Sequence, residues 1–473
     1  MKPKPRNCPG CRKETCTGCG IFKKLNTNKH ISAELPKYFL PEKQGGFGIA
    51  FDLGTTTLAG MLWDLEQAVC LGAKAVENPQ SRLGMDVVSR LQAAIESEEQ
   101  LLKLQQMVVQ ALDKLAFELV NKQLGQDVEP VKAVVAGNTA MCQLLLKRKP
   151  EKLVRSPFKP DYQGLVCQKG DALGFRFLKN TEIVVMPPVG GYAGADILAV
   201  YTWICKEYKE DIKNLLAVDI GTNGEILLFG DKEHYVCSAA AGPALEGGGA
   251  LCGMRAAKGA VDMVSVNGSF PMQDLVCRVI GEGKPKGICG SGLLDTMAVL
   301  GKVGILDDTG YMRSQSEAKA AGTPQRIAGR IEESHKGRRI LLTDKEHPVY
   351  LYAGDVRKVQ LAVGALRAGI EVLLEQADMQ SKELEKIYLA GAFGSYIRVD
   401  SCMSIGLLPQ MDKEKVIQAG NLAGMGASMA LLSPKVMEEM VQQAKKLLHV
   451  ELAGNPRFEE LFLKYMYIEE ERE

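Results

Sequence analysis

The sequence predicts an α/β protein in which two related domains follow a small cysteine-rich segment. Apolar stretches with the two-residue period of strands alternate with longer stretches that have helical spacing. A strand–turn–strand signature built on Asp-x-Gly-Thr occurs twice, 167 residues apart, which favours two related domains. The chain of 473 residues is long enough for roughly two to four domains with buried cores.

The composition excludes several classes of protein. Lysine and arginine total 58 against 57 aspartates and glutamates, so the net charge of +1 gives no reason to expect a nucleic-acid partner. No run of about 18 apolar residues is present, so we expect neither a membrane-spanning helix nor a membrane partner. The basic stretch Met1–Gly20 lacks the apolar core of a signal peptide. A soluble, cytoplasmic protein is therefore expected.

Three segments are expected along the chain. Residues 1–45 join a cysteine cluster to Lys-, Asn- and Pro-rich sequence, which predicts a metal-held segment followed by a linker. Residues 46–211 and 212–473 each contain one copy of the signature and are predicted to form the first and the second subdomain. Within the second, the basic and apolar-poor stretch 312–347 predicts a mobile excursion.

Two long helical stretches are predicted from their apolar spacing. One runs from Asp86 to Leu124. The other runs from Asp355 to Met379, with Asp355 as its cap. Helices are also expected to begin near Gly137, near Asp196 and near Gly420.

The two copies of the signature match along their whole length. Each consists of an apolar strand, an Asp at its end, a Gly-Thr turn and a second apolar strand. Two chance hairpins are the alternative, which the matching flanking strands disfavour. The aligned pairs are Asp52 with Asp219, Gly54 with Gly221, and Thr55 with Thr222.

Hairpins of this kind have a chemistry suited to phosphate. Gly and Thr in a turn offer backbone N–H groups and hydroxyls in a concave array that binds phosphate oxygens. An Asp at each strand end can hold Mg²⁺, usually through water. Two such hairpins facing each other across a cleft would hold the β- and γ-phosphates of a nucleotide. A later glycine turn, Gly391–Gly394, follows a predicted strand and would let an adenine ring approach the backbone.

The order of these motifs resembles the acetate kinase–sugar kinase–Hsp70–actin superfamily, which implies two ribonuclease-H-like domains flanking a nucleotide cleft. One branch is closer still. Over about residues 47–432 the chain resembles the ATPase domain of the reductive activators of corrinoid proteins. That resemblance rests on eight segments in order: A-F-D-L-G-T-T-T, G-N-T-A-M, P-P-V-G-G-Y-A-G-A-D, D-I-G-T-N-G-E, A-A-G-P-A-L-E-G, I-C-G-S-G-L-L-D, L-A-G-A-F-G and G-N-L-A-G-M-G-A.

The resemblance implies an activity, cofactors and site residues. Members of the branch use ATP hydrolysis to drive an electron from an iron–sulfur cluster to a Co(II) corrinoid protein of a methyltransferase system, which restores Co(I). Asp52 and Asp219 would be the catalytic carboxylates and would hold Mg²⁺. The nucleotide-binding residues would be Gly54, Thr55, Thr56 and Thr57 in the first phosphate motif, Gly221, Thr222, Asn223 and Gly224 in the second, and Gly391 and Gly394 in the adenosine motif.

Four cysteines lie within twelve residues near the N-terminus. Zn²⁺ and iron–sulfur clusters both accept four thiolates. The four-residue central spacing is short for a zinc ribbon, which favours an iron–sulfur cluster. A [4Fe–4S] cluster is favoured over [2Fe–2S], whose usual spacing needs a remote fourth cysteine. The expected ligands are Cys8, Cys11, Cys16 and Cys19.

This segment departs from the branch, whose members usually have a full [2Fe–2S] ferredoxin domain and an intervening domain before the ATPase. About 45 residues precede the ATPase region here, so we expect a minimal cluster segment that swings on its linker. The expected partners are a corrinoid protein or corrinoid-dependent methyltransferase, an external electron donor, and a second copy of the chain if it forms a homodimer.

Two other functions stay open at this point. One is an activator of another low-potential enzyme, in the manner of 2-hydroxyacyl-CoA dehydratase activators, although those bind their cluster between two subunits. The other is a small-molecule kinase of the same superfamily with a structural zinc knot. Glu225 and Glu246 lie beside the glycine turns, where each could orient the attacking water or stabilise its turn.

Overall fold

The computed structural model describes residues 34–125, 128–208, 212–281 and 283–467. The chain divides into two compact units. The first contains Met1–Asp211 and Gly420–Lys446, and the second contains Ile212–Ala419 and Leu447–Glu473. Within the described ranges, no helix is both long and apolar enough to span a membrane.

The strands are short and alternate with helices along much of the chain. In chain order they are β1 Phe47–Leu53, β2 Thr57–Asp64, β3 Val69–Glu77, β4 Lys132–Gly137, β5 Val166–Lys169, β6 Glu182–Val185, β7 Leu215–Ile220, β8 Gly224–Phe229, β9 His234–Ala239, β10 Ala260–Asn267, β11 Asp274–Val279, β12 Gly287–Ile288, β13 Ile331–Glu332, β14 Arg339–Leu341, β15 Tyr350–Tyr352, β16 Lys386–Ala390, β17 Val416–Gly420 and β18 Leu448–His449.

The helices range from single turns to 27 residues. In chain order they are α1 Val87–Glu96, α2 Glu98–Leu124, α3 Thr139–Leu145, α4 Gly170–Leu173, α5 Ala195–Glu207, α6 Gly290–Lys302, α7 Gln315–Ala320, α8 Gln325–Ala328, α9 Ala353–Gln376, α10 Gly391–Gly394, α11 Val399–Ser404, α12 Leu422–Leu432, α13 Pro434–Lys446 and α14 Pro456–Tyr465. Short 3₁₀ turns are Pro79–Arg82, Pro243–Glu246, Ser381–Glu383 and Lys413–Lys415.

The first unit is built on a six-stranded sheet in the order β3-β2-β1-β4-β6-β5. β1 pairs antiparallel with β2 and parallel with β4, so the carboxyl ends of β1 and β4 lie side by side, with Leu53 opposite Gly137. A Cβ atom at Gly137 would lie 2.4 Å from the Leu53 carbonyl oxygen, so this close approach requires glycine.

The helical stretch predicted between Asp86 and Leu124 is two helices rather than one. Ser97 has an extended backbone (φ −158°, ψ 154°), which ends α1, and its side chain accepts a hydrogen bond from the Gln100 N–H to cap α2. At the start of α1, Asp86 and Ser89 form a reciprocal capping box. Both helices bury apolar side chains in the core of the first unit.

The second unit contains a six-stranded sheet in the order β17-β16-β7-β8-β9-β18. β7 pairs antiparallel with β8 and parallel with β16, as β1 does with β2 and β4. The same hairpin-and-neighbour arrangement therefore occurs once in each unit, which confirms the prediction of two related α/β domains.

The prediction that residues 212–473 form one subdomain differs from the structure at Gly420–Lys446, which belongs to the first unit. Every residue of α12 is buried there. A Cβ atom at Gly426 would lie 2.3 Å from the Ala199 carbonyl oxygen of α5, and the Trp63 indole N–H of β2 donates to the Ser428 hydroxyl at 3.0 Å. A helix that is apolar on all sides requires this complete burial.

Two further predictions are corrected. Residues 312–347 are predicted to form a mobile excursion, but they contain α7, α8, β13 and β14, and Ile331 and Ile340 are buried in the core of the second unit. Asp355 does not cap α9, which begins at Ala353. Its buried carboxylate instead accepts a hydrogen bond from the Leu251 N–H at 3.1 Å.

Candidate functional site

The first copy of the Asp-x-Gly-Thr signature, called the first Asp-Gly-Thr turn below, connects β1 to β2 at one end of the first unit's sheet. The Gly54 N–H donates to the Thr57 carbonyl oxygen at 3.1 Å, which closes the turn. A Cβ atom at Gly54 would lie 2.7 Å from that same oxygen, so the turn needs glycine. Thr55 is buried, whereas Thr57 is exposed at the start of β2.

Two fully buried polar side chains donate hydrogen bonds to the carbonyl oxygens of this turn. The Asn78 side-chain amide donates to the Gly54 carbonyl oxygen at 3.0 Å. The Arg90 guanidinium of α1 donates to the Thr55 carbonyl oxygen at 2.6 Å and to the Gly84 carbonyl oxygen at 2.8 Å. The turn is thus fixed by its carbonyl groups and has a positive charge beneath it, which favours an anion nearby.

Asp52 is the penultimate residue of β1, and its carboxylate accepts a hydrogen bond from another side chain. The Asn421 side-chain amide donates to its Oδ2 at 2.8 Å. The same Asn421 caps α12, because its Oδ1 accepts the Gly424 N–H at 2.7 Å. Burial raises the pKa of Asp52 to about 6, and the hydrogen bond from Asn421 opposes that rise.

A second carboxylate, Asp196, lies near Asp52 in the first turn of α5. The glycine-rich loop before it is held by two side chains: Asn138 donates to the Tyr192 carbonyl oxygen at 3.1 Å, and the Thr139 hydroxyl donates to the Gly190 carbonyl oxygen at 3.0 Å. Burial raises the pKa of Asp196, the Ile197 N–H opposes the rise, and the negative charge of Asp52 adds to it.

Two neighbouring carboxylates that resist ionisation are suited to a cation. Mg²⁺ prefers oxygen ligands and is usually held by one or two carboxylates together with phosphate oxygens and water. Among the described residues, no group of three or more His, Cys, Asp or Glu side chains could hold a metal ion. Asp52 and Asp196 are thus two carboxylates of the first unit that could hold Mg²⁺ together with phosphate oxygens and water.

The second Asp-Gly-Thr turn connects β7 to β8 in the second unit. The Gly221 N–H donates to the Asn223 carbonyl oxygen at 3.1 Å, and the Gly242 N–H donates to the Thr222 carbonyl oxygen at 2.8 Å. A Cβ atom at Gly224 would lie 1.9 Å from a methyl group of Leu366, so the hairpin packs closely on α9. This turn is also fixed through its carbonyl groups.

The predicted adenosine motif begins beside Asp219. Ala390 at the end of β16 lies opposite Asp219 on β7, and Gly391 follows with φ +80°. A Cβ atom at Gly391 would lie 2.2 Å from Asp219 Oδ1. Only glycine fits this position, both for its backbone angle and for the space that it leaves to the carboxylate. Gly394 lies three residues further on, and its carbonyl oxygen accepts from the Gln418 side chain at 2.8 Å.

Glu225 and Glu246 both have hydrogen-bond partners in the second unit. The Thr222 hydroxyl donates to Glu246 Oε1 at 3.2 Å, and the Ser238 hydroxyl donates to Glu225 Oε1 at 3.4 Å. The Glu246 contact stabilises the turn directly. The alternative role, in which either side chain orients water, stays a prediction.

The cysteines fall into two groups. The four predicted cluster ligands, Cys8, Cys11, Cys16 and Cys19, lie outside the described residues. The nine cysteines of the described part are free thiols. Burial raises the pKa of Cys142, Cys237 and Cys402 far above the usual range, so these thiols stay protonated and act as small core side chains.

The structure brings each half of the predicted site together within its own unit. Asp52 and the Gly54–Thr57 turn lie in the first unit, and Asp219, the Gly221–Gly224 turn and Gly391 lie in the second. Sequence reasoning did not assign a site role to four residues that the structure places at or beneath the first turn. They are Asn78, Arg90, Asp196 and Asn421.

Two sheets with the same strand arrangement, each with an Asp-Gly-Thr hairpin, define a member of the acetate kinase–sugar kinase–Hsp70–actin (ASKHA) superfamily. Family models identify the branch: residues 47–205 match the RACo middle region, and residues 213–473 match the C-terminal domain of RACo, the ASKHA domain. The chain belongs to the RACo family.

Individual relatives have related names. The corrinoid activation enzyme RamQ of Eubacterium limosum is 33% identical over 422 residues, which cover 88% of this chain and 69% of RamQ. A [Co(II) methylated amine-specific corrinoid protein] reductase of Methanosarcina barkeri is 26% identical over 443 residues, covering 88% of this chain and 76% of that protein.

A solved structure gives the same result. It is described as a reductive activator for corrinoid, iron–sulfur protein, and it is 31% identical with a TM-score of 0.78. The match covers 90% of this chain and 66% of that one, so this chain spans about two thirds of the length of that solved relative.

Proposed function

We propose that this protein is an ATP-dependent reductive activator, which uses ATP hydrolysis to drive a low-potential electron onto a Co(II) corrinoid protein of a methyltransferase system. The observation that supports it most is the pair of equivalent Asp-Gly-Thr turns, one in each unit, in a chain of the RACo family. By name, one relative is a corrinoid activation enzyme, and the other is a reductase of a Co(II) corrinoid protein. The solved relative is named as a reductive activator for a corrinoid, iron–sulfur protein.

The chain's own residues have distinct tasks in this proposal. Backbone N–H groups and hydroxyls of Gly54–Thr57 and Gly221–Gly224 bind phosphate oxygens. Asp52 and Asp219 hold Mg²⁺, with Asp196 as a further carboxylate near Asp52. Gly391 leaves room beside Asp219, and with Gly394 it borders the nucleoside. The fixed carbonyl groups under both turns keep the N–H donors in place before the nucleotide arrives.

The electron balance of the reaction is simple. Cys8, Cys11, Cys16 and Cys19 would hold the cluster, which would supply the one electron that reduces Co(II) to Co(I), and hydrolysis of ATP to ADP and phosphate would supply the driving force. An external donor would have to return one electron to the cluster for each Co(II) reduced. We propose [4Fe–4S] as the cluster and Mg²⁺ as the cation.

The test is carried out on anaerobically purified protein. We expect the preparation to contain iron and sulfide. We also expect it to reduce a Co(II) corrinoid protein to Co(I) only when ATP is present, and the absorption spectrum of the corrinoid measures this reduction. The double variant Cys11→Ser/Cys16→Ser should lose iron and Co(I) formation but retain ATP hydrolysis, because every proposed nucleotide contact lies after residue 46.

Three outcomes would contradict the proposal. One zinc and no iron in the wild type would favour the kinase with a zinc knot. Reduction of the corrinoid by the iron-free double variant would show that the cluster is not the donor. Undiminished ATP hydrolysis in both Asp52→Ala and Asp219→Ala would exclude the phosphate-site assignment.

A further inference from the structure

The described chain begins with a segment that is bound to the first unit along its length. At its start, the Trp203 indole N–H donates to the Glu34 carbonyl oxygen at 2.9 Å, and the Tyr38 N–H donates to the Lys206 carbonyl oxygen at 2.9 Å. The Trp203 donor and the Lys206 acceptor both belong to the last two turns of α5. We call residues 34–44 the strap.

An ion pair fixes the strap at the same helix end. The Lys37 Nζ lies 2.6 Å from Glu207 Oε1, and the Lys37 backbone N–H donates to Glu207 Oε2 at 3.0 Å. One carboxylate therefore holds both the side chain and the backbone of one residue. Pro36 and Phe39, on either side of this contact, are buried.

The second half of the strap contacts the junction between α12 and α13. The Glu42 N–H donates to the Leu432 carbonyl oxygen at 2.9 Å, and the Glu42 carboxylate accepts from the Ser433 hydroxyl. The Gln44 side chain donates to the Leu431 carbonyl oxygen at 3.0 Å. These contacts correct the prediction of a swinging linker for the described part, because polar contacts recur along residues 34–44.

The helix that holds the start of the strap also begins at the candidate cation site. Asp196 lies in its first turn, and Trp203 follows seven residues later, about 10 Å along the axis at 1.5 Å per residue. Lys206, near its end, pairs with Glu439 of α13 at 2.6 Å. A single helix thus connects the neighbourhood of Asp52 with the attachment of the strap.

We infer that α5 anchors the strap and thereby limits how far the electron donor can move from the first unit, so that Trp203 and Glu207 are positioning residues for that donor. Fourteen residues lie between Cys19 and Glu34, so a fully extended chain of fifteen steps lets Cys19 reach no more than about 54 Å from the anchor. Because the strap is bound to the first unit, that reach is measured from a fixed point on this unit. This inference rests on the proposed function for its redox role, whereas the anchoring itself is independent of it.

The test combines hydrogen exchange with electron transfer on the full chain. Trp203→Phe removes the indole donor and keeps a ring, and Glu207→Gln removes the ion pair and keeps the shape. Each loses one specific contact, so we expect exchange of the Lys37 and Tyr38 amides to become about tenfold faster. Co(I) formation should slow several-fold, while iron content and stabilisation by ATP stay at the wild-type level.

Two controls separate anchoring from general damage. Glu438→Gln alters an exposed carboxylate on the neighbouring α13 that makes no hydrogen bond or ion pair with the described strap residues, and it should change neither amide exchange nor Co(I) formation. The charge exchange Lys37→Glu/Glu207→Lys should restore part of the rate that Glu207→Lys alone removes.

Unchanged exchange in Trp203→Phe and Glu207→Gln would overturn the anchoring. Faster exchange with an unchanged rate of Co(I) formation would overturn the positioning role. A wild type that binds iron and ATP but reduces no corrinoid protein would contradict the proposed function and the redox role together, and the exchange data would still decide the anchoring.

Discussion

Asn421 donates a hydrogen bond to Asp52 from 369 positions further along the chain, at 2.8 Å. The same side chain caps α12 through its oxygen. The two atoms of one amide thus connect a carboxylate at the candidate cation site to the start of a buried helix. A change at this residue should therefore affect both stability and nucleotide binding.

Asn421→Ala should lower the free energy of unfolding by about 1 kcal/mol through the lost cap, and it should weaken binding of ATP with Mg²⁺. Asn421→Asp separates the two effects, because it keeps the cap and replaces the donor with a second negative charge. Urea unfolding measures the stability of both variants, and nucleotide titration measures their affinity for ATP with Mg²⁺. Equal nucleotide affinity in the wild type and Asn421→Asp would exclude a role for this hydrogen bond at the site.

Gly391→Ala should abolish nucleotide binding while the protein still folds. The new Cβ would lie 2.2 Å from Asp219 Oδ1 at a backbone φ of +80°, so either the carboxylate or the turn must move. Gly301→Ala is the matched control, because nothing lies within 4 Å of its Cβ and it lies inside α6. The control should be neutral or more stable by about 0.5–1 kcal/mol. Full ATP affinity in Gly391→Ala would contradict the assignment of this turn.

Arg90→Ala should destabilise the first unit by about 3 kcal/mol, since it leaves the buried carbonyl oxygen of Thr55 and the half-buried one of Gly84 without their charged donor. Arg90→Lys keeps the charge but cannot reach both oxygens with the same fork, so it should recover only part of the loss. The measurement is the urea midpoint, with ATP hydrolysis as a second readout. A midpoint of Arg90→Ala equal to that of the wild type would rule out this support.

The pH dependence follows from the raised pKa of Asp52. Folding raises it from 3.8 to about 6, so the folded state binds more protons than the unfolded chain between these values. Asp52 therefore makes the nucleotide-free protein less stable as the pH rises through that interval. Mg²⁺ needs the ionised carboxylate, so the added stability from ATP with Mg²⁺ should grow as the pH passes about 6.

Asp52→Asn is the control for this titration. It should reduce the growth of Mg²⁺-dependent stabilisation with pH, and the growth that remains would come from Asp196, whose pKa burial also raises. The measurement is the shift in melting temperature at pH 5.5 and at pH 8. The same pH dependence in Asp52→Asn and in the wild type would assign the titration to another group.

The fold and the two turns could be predicted because their signals are local. Each turn lies inside one short segment, where strand, Asp, Gly and Thr follow one another. Gly391 is also local, since it follows a strand directly. The partners of Asp52 could not be found in this way, because Asn421 and Asp196 reach it only through tertiary packing of α12 and α5. Arg90 is of a residue type that is usually exposed, and only the fold shows that it is buried and which carbonyl oxygens it contacts.

The wrong predictions have physical reasons of their own. The stretch 312–347 is rich in basic residues, but a few apolar side chains such as Ile340 are enough to attach short strands to an existing core. The linker was predicted from its Lys, Asn and Pro content. That content does not reveal backbone hydrogen bonds such as the one from Tyr38 to Lys206.

The late position of α12 has a consequence for biosynthesis. The first unit's sheet is complete by β6, yet the side of β1 and β2 that meets α12 stays open until residues 420–446 leave the ribosome, 209 or more residues after position 211. At about 5–20 residues per second this delay is roughly 10–40 s. During that time Gly48 and Trp63 lack the neighbours Leu431 and Ser428. The nascent chain therefore presents an apolar surface to chaperones, and a fragment that ends at residue 211 should aggregate unless the α12 segment is supplied.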